Sequence, residues 1–216
     1  MQANVALSIL ILLGLAHLTA RADDAEKRFT IDDKAGEVTL AVKKKGALKA
    51  FAHDHDMVAK VYTGAIVWAP TKPASSKVQF EIDTNQIILV DAKMSDDDKA
   101  DVQKRMRSAD VLDVAKFPKL TFASVNVEAQ AKDNQGRTPL TVIGNLTLHG
   151  VTRLCKLQVL LEESKGDLVV TGEHTIQQSF HGIEPYSTAF GAIAVEDDVS
   201  IKFKIVAHPE PQGAAK

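Results

Sequence analysis

The sequence is poor in several residue types, and each shortage argues against a class of protein. It has one cysteine, Cys155, so no disulfide can form within the chain. Only 5% of its residues are aromatic, which argues against surfaces that stack on bases or sugars. The formal net charge of −2 gives no electrostatic reason to expect a nucleic-acid partner. The 216 residues are therefore expected to fold as one domain stabilised by core burial alone.

Short catalytic motifs are also missing from the sequence. It contains no glycine-rich phosphate loop, no G-x-S-x-G elbow and no C-x-x-C pair. Cys155 lies on the apolar side of a predicted strand, as an inert packed thiol does. No spacing of Asp and Glu residues places two carboxylates across a cleft. We therefore predict a binding protein and not an enzyme.

A long alternation of apolar and polar residues runs from Thr138 to Leu161 and is interrupted at His149-Gly150. Residues on alternate positions of a strand face the same side of a sheet, so this period of two predicts two strands joined by a tight turn. The apolar positions of the two strands are Leu140, Val142, Leu146 and Leu148, and then Cys155, Leu157, Val159 and Leu161.

Similar segments recur along most of the chain. Further strands are predicted at Val38–Val42, Val58–Trp68, Val78–Ile82, Leu120–Val127, Leu168–Ile176 and Val199–Ile205. Residues Ser95–Ser108 instead favour a helix, with Ser95 as its cap, acidic residues in its first turn and basic residues in its last. We therefore predict an all-β fold: an extended antiparallel β-barrel of about eight strands, with one inserted surface helix.

The two ends of the chain differ from this domain. Residues Val5–Ala16 form an apolar run that is too short to span a bilayer comfortably, and Ala20-Arg21-Ala22 follows it. This pattern predicts a signal peptide over residues 1–22, cleaved after Ala22, and hence export. A β-barrel domain is predicted over residues 23–207. Residues 208–216 contain two prolines and little apolar content, so we expect a flexible tail.

Three segments resemble the YceI-like family of periplasmic polyisoprenoid-binding proteins. They are Val111–Ser124, the motif Gly144-Asn145-Leu146-Thr147-Leu148-His149-Gly150-Val151-Thr152, and Phe180–Ile183 together with Asp198–Ile201. The likeness runs from Phe29 to Ala207. It implies an extended, lipocalin-like barrel in the periplasm, whose interior holds the apolar tail of an isoprenoid lipid or quinone.

The ligand contacts expected on this basis are mostly apolar side chains of the predicted strands. Which strand face points inward is left open by the alternation. A bound isoprenoid lipid or quinone is the only cofactor expected, and the partner is a small apolar lipid, with at most transient membrane contact, no nucleic acid and no predicted oligomeric state. The candidate ligand-binding residues are Val142, Leu146, Leu148, Leu157, Val159, Val170, His174, Ile201 and Phe203.

Two histidines depart from the common pattern of that family. His53 and His55 are two residues apart, so on a strand they point to the same side. They predict either hydrogen bonds at a barrel end, contact with a ligand headgroup, or two ligands of a metal ion completed by His149, His174 or His181. Residues after His55 fit neither a metallo-hydrolase nor a cupin motif. The alternatives to lipid binding are therefore a metal-binding protein or metal-dependent enzyme, and a non-catalytic, stress-related scaffold with a filled interior.

Overall fold

The computed structural model describes residues 26–48, 50 and 54–211, which form strands for most of their length. In these residues the strands are β1 (Lys27–Lys45), β2 (His55–Ala59), β3 (Tyr62–Trp68), β4 (Lys77–Asp83), β5 (Ile87–Leu89), β6 (Lys119–Ala129), β7 (Thr138–Leu148), β8 (Val151–Ser164), β9 (Asp167–Gln177), β10 (Ser187–Thr188) and β11 (Ile193–Pro209). The helices are α1 (Asp96–Arg107) and short 3-10 turns at Pro73–Ser75, Thr84–Gln86, Gln178–His181 and Ala189–Gly191.

Eight antiparallel strands close into a barrel in the order β1-β11-β9-β8-β7-β6-β4-β3, with β3 returning to pair with β1. Strand β1 has 19 residues and is therefore roughly 60 Å long. Beyond the barrel wall, β2 pairs with the C-terminal part of β1, and β5 pairs with β2. The predicted barrel with one inserted α-helix is confirmed for the described residues.

The β7–β8 hairpin forms where the alternation predicted it. His149 and Gly150 have φ values of 51° and 74°, so both are in the left-handed conformation of a two-residue hairpin turn. Leu140 pairs with Val159 and Leu146 with Arg153, which fixes the register along the hairpin. The side chains of Leu140, Val142, Leu146 and Leu148 are buried in the barrel core, so this face of β7 points inward.

Helix α1 begins where the sequence predicted. The Ser95 hydroxyl accepts a hydrogen bond from the Asp98 backbone N–H at 3.1 Å, which satisfies one of the free donors of the first turn. Near the other end, Arg107 donates through its guanidinium to the Asn85 carbonyl at 2.6 Å. The Arg107 contact ties the helix to the 3-10 turn before β5, at one end of the barrel.

Two predicted boundaries are wrong. Segment Val58–Trp68 is not one strand, because its pairing with β1 is interrupted at Lys60 and Val61. The Lys60 N–H donates to the Gln86 carbonyl, and the Val61 carbonyl accepts from the Asp83 N–H. The result is two strands, β2 and β3, with different outer neighbours.

Residues 208 and 209, predicted as part of a flexible tail, instead end β11. His208 belongs to β11 and its ring lies between two carboxylates, 2.9 Å from Asp167 and 3.3 Å from Asp32. The Glu210 N–H donates to the Arg28 carbonyl at 2.8 Å. Backbone pairing with β1 therefore continues past Pro209, although two prolines were expected to end the ordered structure. Residues 212–216 lie outside the described residues, as does the predicted signal peptide over residues 1–22. Among the described residues, no helix combines the length and the hydropathy of a membrane span.

Candidate functional site

The barrel interior contains two apolar cavities that meet at Leu40 and Leu120. The outer cavity has a volume of about 560 Å³ and lies at the end of the barrel covered by helix α1. The inner cavity has a volume of about 150 Å³ and continues towards the opposite end. Leu40 and Leu120 line both.

The inner cavity is lined by aliphatic and aromatic side chains from all eight barrel strands. Among the described residues, Ser76, Cys155 and His174 are the exceptions to this apolar lining. Trp68 lies at the deep end, where its indole N–H donates to Glu163 at 3.4 Å. Gly172 leaves room for the ring of Phe203, because a Cβ at position 172 would lie 2.7 Å from its Cζ atom.

The structure places every candidate ligand-binding residue of the sequence analysis on a cavity wall. Several of these side chains remain partly exposed although they line the interior, because they border the cavity. Their role as ligand contacts stays a prediction. Leu148 lines the outer cavity, and the inner cavity is lined by Val142, Leu146, Leu157, Val159, Val170, His174, Ile201 and Phe203.

The outer cavity has walls that the sequence reasoning missed. Val102 and Met106 of α1 face it, and so do Met57 of β2, Leu89 of β5 and Ile183 of the segment after β9. The spacing of Val102 and Met106, four residues apart, was the available sign, because residues at this spacing share one face of a helix. Nothing in the sequence showed what that face would cover.

Charged residues of both signs stand around the outer cavity. Asp101, Lys104, Arg105 and Asp110 all contribute to its lining. The Arg105 guanidinium lies 4.8 Å from the centre of the Tyr186 ring and 3.9 Å from the Asp110 carboxylate. Two cations are thus balanced by two anions, and the Arg105–Tyr186 contact joins α1 to the segment before β10 at the cavity mouth.

Burial changes the ionisation of two groups that line the inner cavity. Desolvation lowers the pKa of His174, so its imidazole is neutral at neutral pH. Desolvation also raises the pKa of the Cys155 thiol, so the reactive thiolate is disfavoured. Both effects keep the inner cavity free of charge, which suits an apolar ligand.

The histidines considered as metal ligands lie in different places. His53 lies outside the described residues, while His55 begins β2 and lines the outer cavity. The His149 ring packs edge-on against Phe117 with their centres 4.6 Å apart, and the Nδ1 atom of buried His181 lies 3.1 Å from the Val151 carbonyl oxygen. Among the described residues, no three His, Cys, Asp or Glu side chains are grouped as metal ligands.

Known proteins resemble part of this sequence. The chain is 37% identical to a UPF0312 protein of Enterobacter sp. strain 638 over 102 residues, which are 47% of this chain and 46% of that protein. It is 34% identical to the protein YceI of Salmonella newport strain SL254, again over 102 residues, which are 47% of this chain and 46% of that protein. The chain thus spans about half the length of the curated relatives it matches.

Solved structures extend the likeness over most of the barrel. The crystal structure of Burkholderia cenocepacia BcnA has a TM-score of 0.64 and 21% identity, over 82% of this chain and 98% of that one. A polyisoprenoid binding domain from Saccharophagus degradans has a TM-score of 0.61 and 16% identity, over 84% of this chain and 98% of that one. At such identities these structures show the shared fold. The family model described as YceI-like domain matches residues 29–207, and the protein therefore belongs to the YceI-like family.

Proposed function

We propose that this protein is an exported, periplasmic, non-catalytic binding protein that sequesters or carries an isoprenoid lipid or quinone in its barrel interior. The observation that carries the proposal is the pair of apolar cavities that meet at Leu40 and Leu120. The solved relative from Saccharophagus degradans, described as a polyisoprenoid binding domain, supports the same ligand class.

Burial of an apolar chain supplies enough free energy for binding. Each methylene removed from water is worth about 0.8 kcal/mol, so a chain of about ten carbons gains about 8 kcal/mol. That free energy corresponds to a Kd of about 1 µM, before the cost of ordering the chain is subtracted. No charged contact is required, which agrees with the uncharged lining of the inner cavity.

The shape of the interior favours one orientation of the ligand. The inner cavity is the smaller of the two and has Trp68 in its lining, so it suits the end of a linear chain. The outer cavity is wider and has polar groups near its mouth, among them Gln178, Tyr186 and Arg105. We therefore place the tail towards Trp68 and the polar end of the ligand at the mouth.

Export is part of the proposal because of the apolar run Val5–Ala16 and the sequence Ala20-Arg21-Ala22. The intact mass of protein recovered from the periplasm tests it. We expect a mature chain that begins at Asp23, and a full-length cytoplasmic species would contradict export.

A pair of variants tests the binding site. Val170 lines the inner cavity, whereas its neighbour Val169 lies on the opposite face of β9. Val170→Phe fills the inner cavity and should weaken binding of decylubiquinone at least tenfold, while Val169→Phe adds the same ring outside and should leave binding unchanged. Native mass spectrometry measures the bound fraction, and circular dichroism confirms that both variants fold. Absence of binding to the unaltered protein, or equal binding by both variants, would contradict the proposal.

A further inference from the structure

Large apolar side chains are exposed on the loops beside the mouth of the outer cavity. Phe190 is fully exposed and Leu48 is 43% exposed. The Leu48 N–H donates to the Ala192 carbonyl at 2.8 Å, so the loop after β1 lies against the loop that carries Phe190. Tyr186, in the segment just before β10, is also exposed and lines the outer cavity. We call the loops that carry Leu48, Tyr186 and Phe190 the mouth loops.

The backbone at Phe190 is strained. Its φ and ψ are 55° and 37°, in the left-handed region that suits glycine and asparagine far better than phenylalanine. Against the residues that the structure describes, its ring gains no burial that would offset this strain. A strained residue that presents a fully exposed aromatic ring indicates that the ring packs against something outside this chain.

The surroundings favour a lipid surface as that partner. The four charged residues that line the outer cavity, Asp101, Lys104, Arg105 and Asp110, balance each other, so the cavity lining itself carries no net charge that would select a charged partner. The free strand edge beside the mouth loops is β10, which has only two residues, Ser187 and Thr188, and so offers little pairing to a peptide that would extend the sheet. The mouth loops also lie where an apolar cargo must enter or leave, and such a cargo resides in a bilayer.

We propose that the mouth loops insert their apolar side chains into the surface of a lipid bilayer, so that the outer cavity opens directly onto the leaflet. A chain of many methylenes then moves between membrane and barrel without crossing water, which would cost free energy for each exposed group. The role in cargo exchange rests on the proposed function, whereas the insertion itself is measured separately.

A tryptophan reporter tests the insertion. Trp68 is the single tryptophan of the sequence and is buried at the other end of the interior, so its emission is a constant background. Phe190→Trp places a reporter on the mouth loops, and Val125→Trp places a matched reporter on β6, where Val125 is 50% exposed on the barrel wall. The probe is vesicles of phosphatidylethanolamine with a minority of phosphatidylglycerol.

We expect the emission of Phe190→Trp to shift to shorter wavelength and to be quenched by brominated lipid, with little change in high salt because the insertion is apolar. Val125→Trp should show neither effect. Equal responses of the two variants, no response of Phe190→Trp, or a response abolished by salt would overturn apolar insertion by these loops.

A second experiment separates docking from cargo binding. The double variant Leu48→Ser with Phe190→Ser should lose vesicle binding at least tenfold in co-sedimentation, yet take up decylubiquinone from detergent as the unaltered protein does. Unaltered protein that takes up decylubiquinone but never binds vesicles would overturn the docking and leave the proposed function standing. Vesicle binding without any decylubiquinone uptake would do the reverse.

Discussion

The side-chain oxygen of Gln103 accepts a hydrogen bond from the backbone N–H of Leu89 at 2.8 Å, so helix α1 is attached to the edge of strand β5. The nitrogen of the same amide donates to the Ile87 carbonyl at 2.9 Å. One glutamine side chain therefore pairs with β5 much as a neighbouring strand would. This contact holds Val102 and Met106 over the outer cavity.

Substitution of Gln103 should release the helix. Gln103→Met keeps the length and helix propensity of the side chain but leaves the Leu89 N–H and the Ile87 carbonyl without their partner. We expect a loss of about 1–3 kcal/mol in the free energy of unfolding, measured in urea. Lys104→Ala, at the exposed neighbouring position, is the control and should change stability by less than about 0.5 kcal/mol. Equal effects of the two substitutions would contradict the attachment.

The junction between the cavities should control the length of chain that the protein accepts. Leu40→Ala removes a side chain that lines both cavities, and Leu146→Ala removes one that lines the inner cavity alone. Each should destabilise the fold by about 2–5 kcal/mol, because each leaves a void in the core. Native mass spectrometry with quinones of increasing side-chain length should show longer chains bound by Leu40→Ala alone. The same limit in both variants would mean that Leu40 does not divide the interior.

Stability should depend on pH through His208. The hydrogen bonds that the protonated His208 ring donates to Asp167 and then to Asp32 raise the pKa of His208 above its ordinary 6.5. The stabilisation is therefore fully present below pH 6.5 and is lost as the pH rises through the raised folded-state pKa. Hydrogen bonds from the Lys34 N–H and then from His208 lower the pKa of Asp32 below 3.8. The stabilisation that depends on the Asp32 carboxylate is therefore lost only at more acidic pH.

Thermal unfolding across this range checks the pairing. The difference in Tm between the unaltered protein and His208→Gln should be largest between about pH 4 and 6.5 and should shrink towards alkaline pH. It should also shrink in high salt, since all three side chains are partly exposed. A difference that stays constant from pH 5 to pH 9 would show that protonation of His208 does not stabilise the fold.

Reactivity of Cys155 should report occupancy of the inner cavity. The thiol lines that cavity, and desolvation raises its pKa, so N-ethylmaleimide should react with it more slowly than with the unfolded chain in urea. Bound decylubiquinone should slow the reaction further. Labelling at the same rate with and without saturating quinone would place the ligand elsewhere.

Much of the fold was predictable because its determinants are local. The alternation of β7 and β8, the glycine of their turn and the Ser95 cap each act within a few residues, and each prediction matches the structure. The division of Val58–Trp68 depended on Gln86 and Asp83, which are distant in sequence. The ordered His208 likewise depended on carboxylates of two other strands.

The site was predictable in part for the same reason. Parity along a strand grouped Val142 with Leu146 and Ile201 with Phe203, but it did not show which face pointed inward until the barrel closed. The outer cavity depends on the docking of α1 through Gln103, a side-chain contact with no sequence signature. The volume left between packed walls is likewise a property of the closed barrel and not of any one segment.

Organic extraction of the purified protein, followed by mass spectrometry, tests the central proposal most directly. The protein should be produced with its full leader, recovered from the periplasm without detergent and extracted together with the Val170→Phe variant as the filled-cavity control. We predict about one prenyl lipid or quinone per chain in the unaltered protein and much less in the variant. Absence of any such lipid from the unaltered protein, together with no uptake of added quinone, would contradict the account.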